Sequence, residues 1–267
     1  MSRIAYVSVF AVLVLLSACS APNGQPQGSS EVVAPNQVVD FGTLYAQNCA
    51  ACHGAEGKGG AAIALANPVY LAIVDESAVH NAVANGIHAT SMPAFAQSAG
   101  GFLTEEQINV IASGVFSRWG RKGILDGTNP PSYAAKTTGD AAHGKVVFGT
   151  YCASCHGSEG RGKAKGSDVT NDAFLALVSD QGLRTIVITG RPELGAPDWR
   201  GNVPGKPTPI PMSDQEITDV VAWLASRRVP SPGQPYSAAN REQPGHLQGD
   251  HSQNGPSQNG HSEQMEK

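Results

Sequence analysis

Cys49-Ala50-Ala51-Cys52-His53 recurs, about 103 residues later, as Cys152-Ala153-Ser154-Cys155-His156. Each stretch sets two thiols one helical turn apart and an imidazole in the next position. Thiols at that spacing reach the vinyl groups on one side of a porphyrin while the imidazole meets the iron, so the pentapeptide points to covalent c-type haem. Two copies predict two covalently attached haem c groups, held through Cys49, Cys52, Cys152 and Cys155, with His53 and His156 as proximal iron ligands. Half of a zinc site or a redox dithiol would also use Cys-x-x-Cys. A four-cysteine zinc site leaves the His and Gly after both pairs unexplained. A redox dithiol belongs to a thioredoxin-like run of strands and helices that this chain lacks.

Outward from the two motifs, the surrounding sequence repeats with them. YAQNCAACHGAEG from Tyr45 is echoed by TYCASCHGSEG from Thr150, and NPVYLAIV from Asn67 by NDAFLALV from Asn171. LTEEQINVIASGVFSRW from Leu103 is echoed by MSDQEITDVVAWLASRR from Met212. One fold is used twice. The pattern is all-α: an opening helix carrying Cys-x-x-Cys-His, a middle helix near Ser77 to Asn85, and a closing helix. Thr104 with Gln107 and Ser213 with Glu216 make capping boxes, and Leu103 with Ile108 and Met212 with Ile217 have the spacing of hydrophobic staples. Each copy is small for a self-sufficient core, so the haem supplies much of the buried apolar mass.

The remainder of the 267 residues divides by composition. Residues 1–18 read as a signal peptide, with Arg3 ahead of an apolar run at residues 4–16 that is too short to span a bilayer. The run ends Leu16-Ser17-Ala18-Cys19, which looks like a bacterial lipoprotein box with Cys19 as the lipidated residue. Its acyl chains would anchor the protein to a membrane surface without spanning it. Residues 19–38 follow as a flexible tether, 39–121 as the first domain, 122–138 as a linker, 139–229 as the second domain and 230–267 as a disordered tail. His246, His251 and His261 in that tail are widely spaced and read as solvated residues. Of five cysteines, the haem motifs use four and Cys19 is the fifth, so none remains for a disulfide. The formal charge of −4 is ordinary for solubility. No nucleic-acid partner is expected.

Each copy resembles a class I cytochrome c domain, and together they are similar to tandem dihaem cytochromes c. In that family the motif histidine is the proximal ligand and a later methionine, usually in a Met-Pro dipeptide, is the distal one. The resemblance therefore assigns Met92, in Ser91-Met92-Pro93-Ala94-Phe95, to the first haem; His80 and His88 read as surface or packing residues. The second copy departs from the pattern. Gly195-Ala196-Pro197-Asp198-Trp199 aligns with the methionine segment and puts Ala196 at the ligand position. Met212 then has two readings. It is either the staple residue equivalent to Leu103, or a displaced distal ligand carried by the proline-rich insertion at residues 203–212. Both copies also lack the family's proline after Cys-x-x-Cys-His-Gly, whose carbonyl orients the proximal imidazole.

A His/Met pair closes both axial positions and favours electron transfer over catalysis at the metal, so no catalytic residue is expected. The resemblance implies a dihaem electron carrier on the periplasmic side of a bacterial membrane. Its partners would be redox proteins: a cytochrome, a quinol-oxidising complex or a terminal oxidase. Two alternatives stand beside it. One is a haem enzyme or gas-binding protein with an open second haem, drawing on Arg191, Glu193 and Asp198 as polar distal groups. The other is a fixed cytochrome subunit of a larger quinol-oxidising or oxidase complex.

Overall fold

The computed structural model describes residues 33–202 and 207–229. The leader, Cys19, most of the tether and the histidine-bearing tail lie outside the described residues.

In the first repeat, Asp40 accepts from the Thr43 N–H and starts α1 (Phe41–Asn48), which is followed by the single turn α2 (Ala50–His53). Asn67 caps α3 (Pro68–Ile73), Asp75 caps α4 (Glu76–Asn85), and Thr104 with Gln107 forms the expected capping box of α5 (Glu105–Trp119). The second repeat follows the same order: α6 (Ala141–Tyr151), α7 (Ala153–His156), α8 (Asp172–Leu177), α9 (Asp180–Thr189) and α10 (Asp214–Ala225). Asp140, Asn171, Ser179 and Ser213 cap α6, α8, α9 and α10, each side-chain oxygen satisfying amide donors that the first turn leaves free. Among the described residues the fold is all-α, with isolated bridges but no strand.

Two elements differ from the sequence pattern. The opening helix of each repeat is interrupted at the first motif cysteine, where Cys49 and Cys152 have φ of −119° and −113°. The Asn67 and Asn171 echoes form short helices of their own, too brief for a 3.6-residue period to show.

In each repeat the opening and closing helices cross with a glycine at the contact, on opposite partners. In the first, α5 offers Gly114 to the ring of Phe41 on α1; a Cβ there would lie 2.1 Å from that ring. In the second, α6 offers Gly144 to the Asp219 backbone and Trp223 on α10; a Cβ would come 2.0 Å from the Asp219 carbonyl oxygen. Leu44, Ile108, Ile111 and Val115 fill the first core, and Phe148, Leu175, Ile188, Ile217 and Val220 the second. The repeats also share surface. Val69 and Ile73 of α3 pack into the second core, and the Asn67 amide donates to the buried Thr189 carbonyl at 3.1 Å.

Candidate haem sites

The break at Cys49 and Cys152 gives each motif its own turn. The turn stays hydrogen-bonded, with the His53 N–H donating to the Cys49 carbonyl at 3.0 Å and the His156 N–H to that of Cys152 at 2.9 Å. Four thiols are unbridged. Burial pushes the Cys49 thiol up to about 11 and Cys152 to about 12, the neighbouring motif cysteine adding to the rise in each. A redox dithiol relies on a lowered thiol pKa, so the leading cysteines do not suit that chemistry. Among the described residues no group of three or more His, Cys, Asp and Glu converges as a metal site. The two cysteine pairs therefore do not form the four-cysteine zinc arrangement.

Both imidazoles are oriented from behind. His53 Nδ1 lies 2.9 Å from the Ile63 carbonyl and His156 Nδ1 2.7 Å from that of Ser167. A carbonyl only accepts, so each Nδ1 carries the proton and each Nε2 keeps its lone pair for iron. Burial holds the His53 pKa below its usual value against the opposing hydrogen bond, which favours the neutral ligand form. These carbonyls do the work of the missing proline. Glycine lets the chain come close enough: a Cβ at Gly60 would sit 2.1 Å from the Cys52 carbonyl oxygen, and one at Gly166 2.9 Å from His156 Nδ1. Sequence reasoning passed over Ile63, Ser167 and both glycines. The glycine-rich stretch after each motif was the available signal. On the proximal side, the donor set of both repeats fits covalent haem c.

The distal segments pair in closely related ways, the acceptor of the middle bond being shifted by one residue between the repeats. In the first repeat, the Ile87 N–H donates to the Met92 carbonyl at 3.0 Å, Phe95 to Val83 at 3.0 Å and Leu103 to Phe95 at 2.8 Å. In the second, Arg191 donates to Ala196 at 3.0 Å, Trp199 to Ile188 at 3.1 Å and Met212 to Trp199 at 2.8 Å. Gly86 at φ 66° lies against Met92 and Pro93, as Gly190 at φ 63° lies against Ala196 and Pro197. Ala196 thus occupies the place of Met92, and Met212 that of Leu103. Met92 is partly buried against the first core. Met212, 7% exposed, belongs to the second core with Ile217. His80 pairs with Glu105 at 2.8 Å, and His88 lines a cavity of about 400 Å³ between the repeats, so both are taken up by surface and packing roles.

Arg191 and Glu193 face each other, and Arg191 Nη2 donates to the Gly60 carbonyl of the first repeat at 3.2 Å. Asp198 is paired with Arg200. No helix among the described residues is long and apolar enough to cross a membrane.

Residues 141–228 match the family model for cytochrome c, and residues 37–113 that for cytochrome c oxidase, cbb3-type, subunit III. The chain is 31% identical over 131 residues to the cbb3-type cytochrome c oxidase subunit CcoP of Azospirillum sp. (strain B510), a match covering 45% of this chain and 39% of that protein. It is 35% identical over 132 residues to the corresponding subunit FixP of Rhizobium etli, covering 46% and 40%. The match therefore spans well under half the length of these relatives. A solved Kuenenia stuttgartiensis reducing HAO-like protein complex, Kustc0457/Kustc0458, aligns with 73% of this chain and 99% of one of its own at 19% identity and a TM-score of 0.42. The chain thus carries two cytochrome c domains, one in each repeat, and covalently bound haem c is implied by both.

Proposed function

We propose that this protein is a membrane-tethered dihaem electron carrier, moving single electrons between respiratory or photosynthetic redox partners. The observation that supports it most is two Cys-x-x-Cys-His turns in one molecule, each with its imidazole held by a backbone carbonyl. Cys49 and Cys52 form the thioethers of the first site and Cys152 and Cys155 those of the second. His53 and His156 would hold the iron through Nε2, and Met92 would supply a thioether ligand to the first site, raising its potential. Bound haem c supplies a one-electron ferric/ferrous couple. Asn67 and Arg191 keep the two repeats in register, so that an electron entering one finds the other at a constant distance. A potentiometric titration followed optically should resolve two reversible one-electron steps. A single step, or steps that do not reverse, would sink this reading.

Cys19 attaches the chain to the periplasmic face of a membrane through its acyl groups, and the tether lets the haem domains reach partners while their local concentration stays high. Cys19→Ser should move the protein to the soluble fraction. If the variant stays on washed membranes, the anchor is elsewhere.

A second reading draws on the relatives, which are subunits of cbb3-type oxidases. In it the chain is a fixed cytochrome subunit that feeds electrons into a terminal oxidase. Native purification from solubilised membranes separates the two, since only a fixed subunit co-purifies with its complex in constant ratio.

A further inference from the structure

We infer that the iron site opposite His156 has no protein ligand on its distal side and is a binding position for a small uncharged π-acceptor such as CO or NO. This rests on haem attachment at Cys152 and Cys155. The equivalence of Ala196 with Met92 comes from backbone pairing rather than from alignment: Arg191 N–H to Ala196 carbonyl repeats Ile87 N–H to Met92 carbonyl, both at 3.0 Å. An alanine methyl donates nothing to iron. Met212, the internal methionine that could substitute, is tied at Leu103's position by its N–H to the Trp199 carbonyl, and its side chain is buried with Ile217 and Val220. The Pro-rich insertion lengthens the path to Met212 without taking that residue out of the staple position.

The polar groups of the distal stretch decide the class of ligand. Peroxide reduction needs a free acid or base and a free cation beside the iron. Here Arg191 is engaged by Glu193 and by the Gly60 carbonyl, while Asp198 is engaged by Arg200. With these charges neutralised in pairs, an apolar diatomic ligand suits the position better than an anionic or hydrogen-bonded oxidant.

The test is CO binding to the ferrous holo-protein, counted against covalent haem measured by the mass of the denatured chain. Two haems by mass with one CO bound is the expected result for the natural sequence. Met92→Ala should raise the count to two. Ala196→Met should lower it to zero and add a second methionine-to-iron charge-transfer band, whereas Met212→Leu should leave it at one. No CO bound to the natural protein overturns the inference, and a rise from zero to one on Met212→Leu assigns the ligand to Met212 instead. A count of one that Met92→Ala does not raise places the open position in the first repeat and likewise overturns it. A mass increase of fewer than two haems would defeat the haem assignment itself, a failure distinct from that of the open site.

Discussion

Arg184 is 2% exposed, and its guanidinium is bonded on every nitrogen: Nε to the Ser132 and Tyr133 carbonyls, Nη1 to the Thr218 hydroxyl, and Nη2 to the Asp214 carboxylate and the Ser132 carbonyl. One side chain on α9 therefore joins the linker to α10. Arg184→Met keeps much of the volume but strips two carbonyls and a carboxylate of their partner, and should cost on the order of 3 kcal/mol. A lower denaturation midpoint and faster proteolysis within residues 127–138 would report it; an unchanged midpoint would refute the role. His143 and Asp219 form a second such contact at 2.7 Å. The Asp219 hydrogen bond raises the His143 pKa above 6.5, so the contact's contribution is full below that value and fades as pH rises through the raised one. For Asp219, burial favours the neutral acid, but bonds from the Asp140 N–H, His143 and Gln215 outweigh it and lower the pKa, so its share is lost only in acid. The stability of the second repeat should therefore fall as pH rises above about 6.5, and His143→Gln should flatten that fall. The two Cys-x-x-Cys-His turns were legible because each motif is complete within five consecutive positions. Arg184 was not, since its partners lie on distant segments and nothing in its own helix marks it as buried.

At the scale of elements, each repeat needs a closing helix that can lie directly on an opening one, and the glycines achieve this with opposite assignments. Phe41 fits the gap at Gly114, whereas Trp223 and the Asp219 backbone fit the gap at Gly144. The bulky partner is kept and its helix is exchanged. Gly144→Ala puts a methyl against a backbone carbonyl that has no rotamer to change, so α6 must move from α10. A cost of about 1–3 kcal/mol is expected, in the range of other overpacked cores. Thermal denaturation of the holo-protein should show it, with helix content in the folded state preserved; wild-type stability would mean the crossing is loose. Capping boxes at Thr104 and Ser213 could be read from sequence because both partners sit within four residues. The helix interruptions at Cys49 and Cys152 could not, since each amounts to one stretched φ within an otherwise continuous helical run of sequence. The short helices α3 and α8 are likewise set by an asparagine cap and by tertiary packing rather than by periodicity.

The molecule as a whole is less separable than its repeated sequence suggests. Duplication was plain from the two motifs, but the docking of one copy on the other leaves no local mark: Val69 stands within NPVYLAIV as an ordinary apolar residue, yet its side chain is 5% exposed and completes the core of the second repeat. Asn67 beside it caps α3 and at the same time donates to Thr189, so the start of one helix in the first repeat and the end of α9 in the second depend on a single amide side chain. This coupling predicts that the two haem-bearing halves unfold together. Val69→Asp introduces an unpaired carboxylate at the centre of the contact, at a cost of several kcal/mol if it stays buried, and separation of the halves is the way to hydrate it. The first repeat keeps its own core of Leu44, Ile108 and Ile111 in that event and should remain folded, so that one denaturation transition becomes two. Each half carries a haem motif and tryptophan, Trp119 in the first repeat and Trp199 and Trp223 in the second, so Soret absorbance and tryptophan fluorescence both register each transition. A single transition moved downward as a unit in Val69→Asp would instead mean that the repeats are joined by more than this contact.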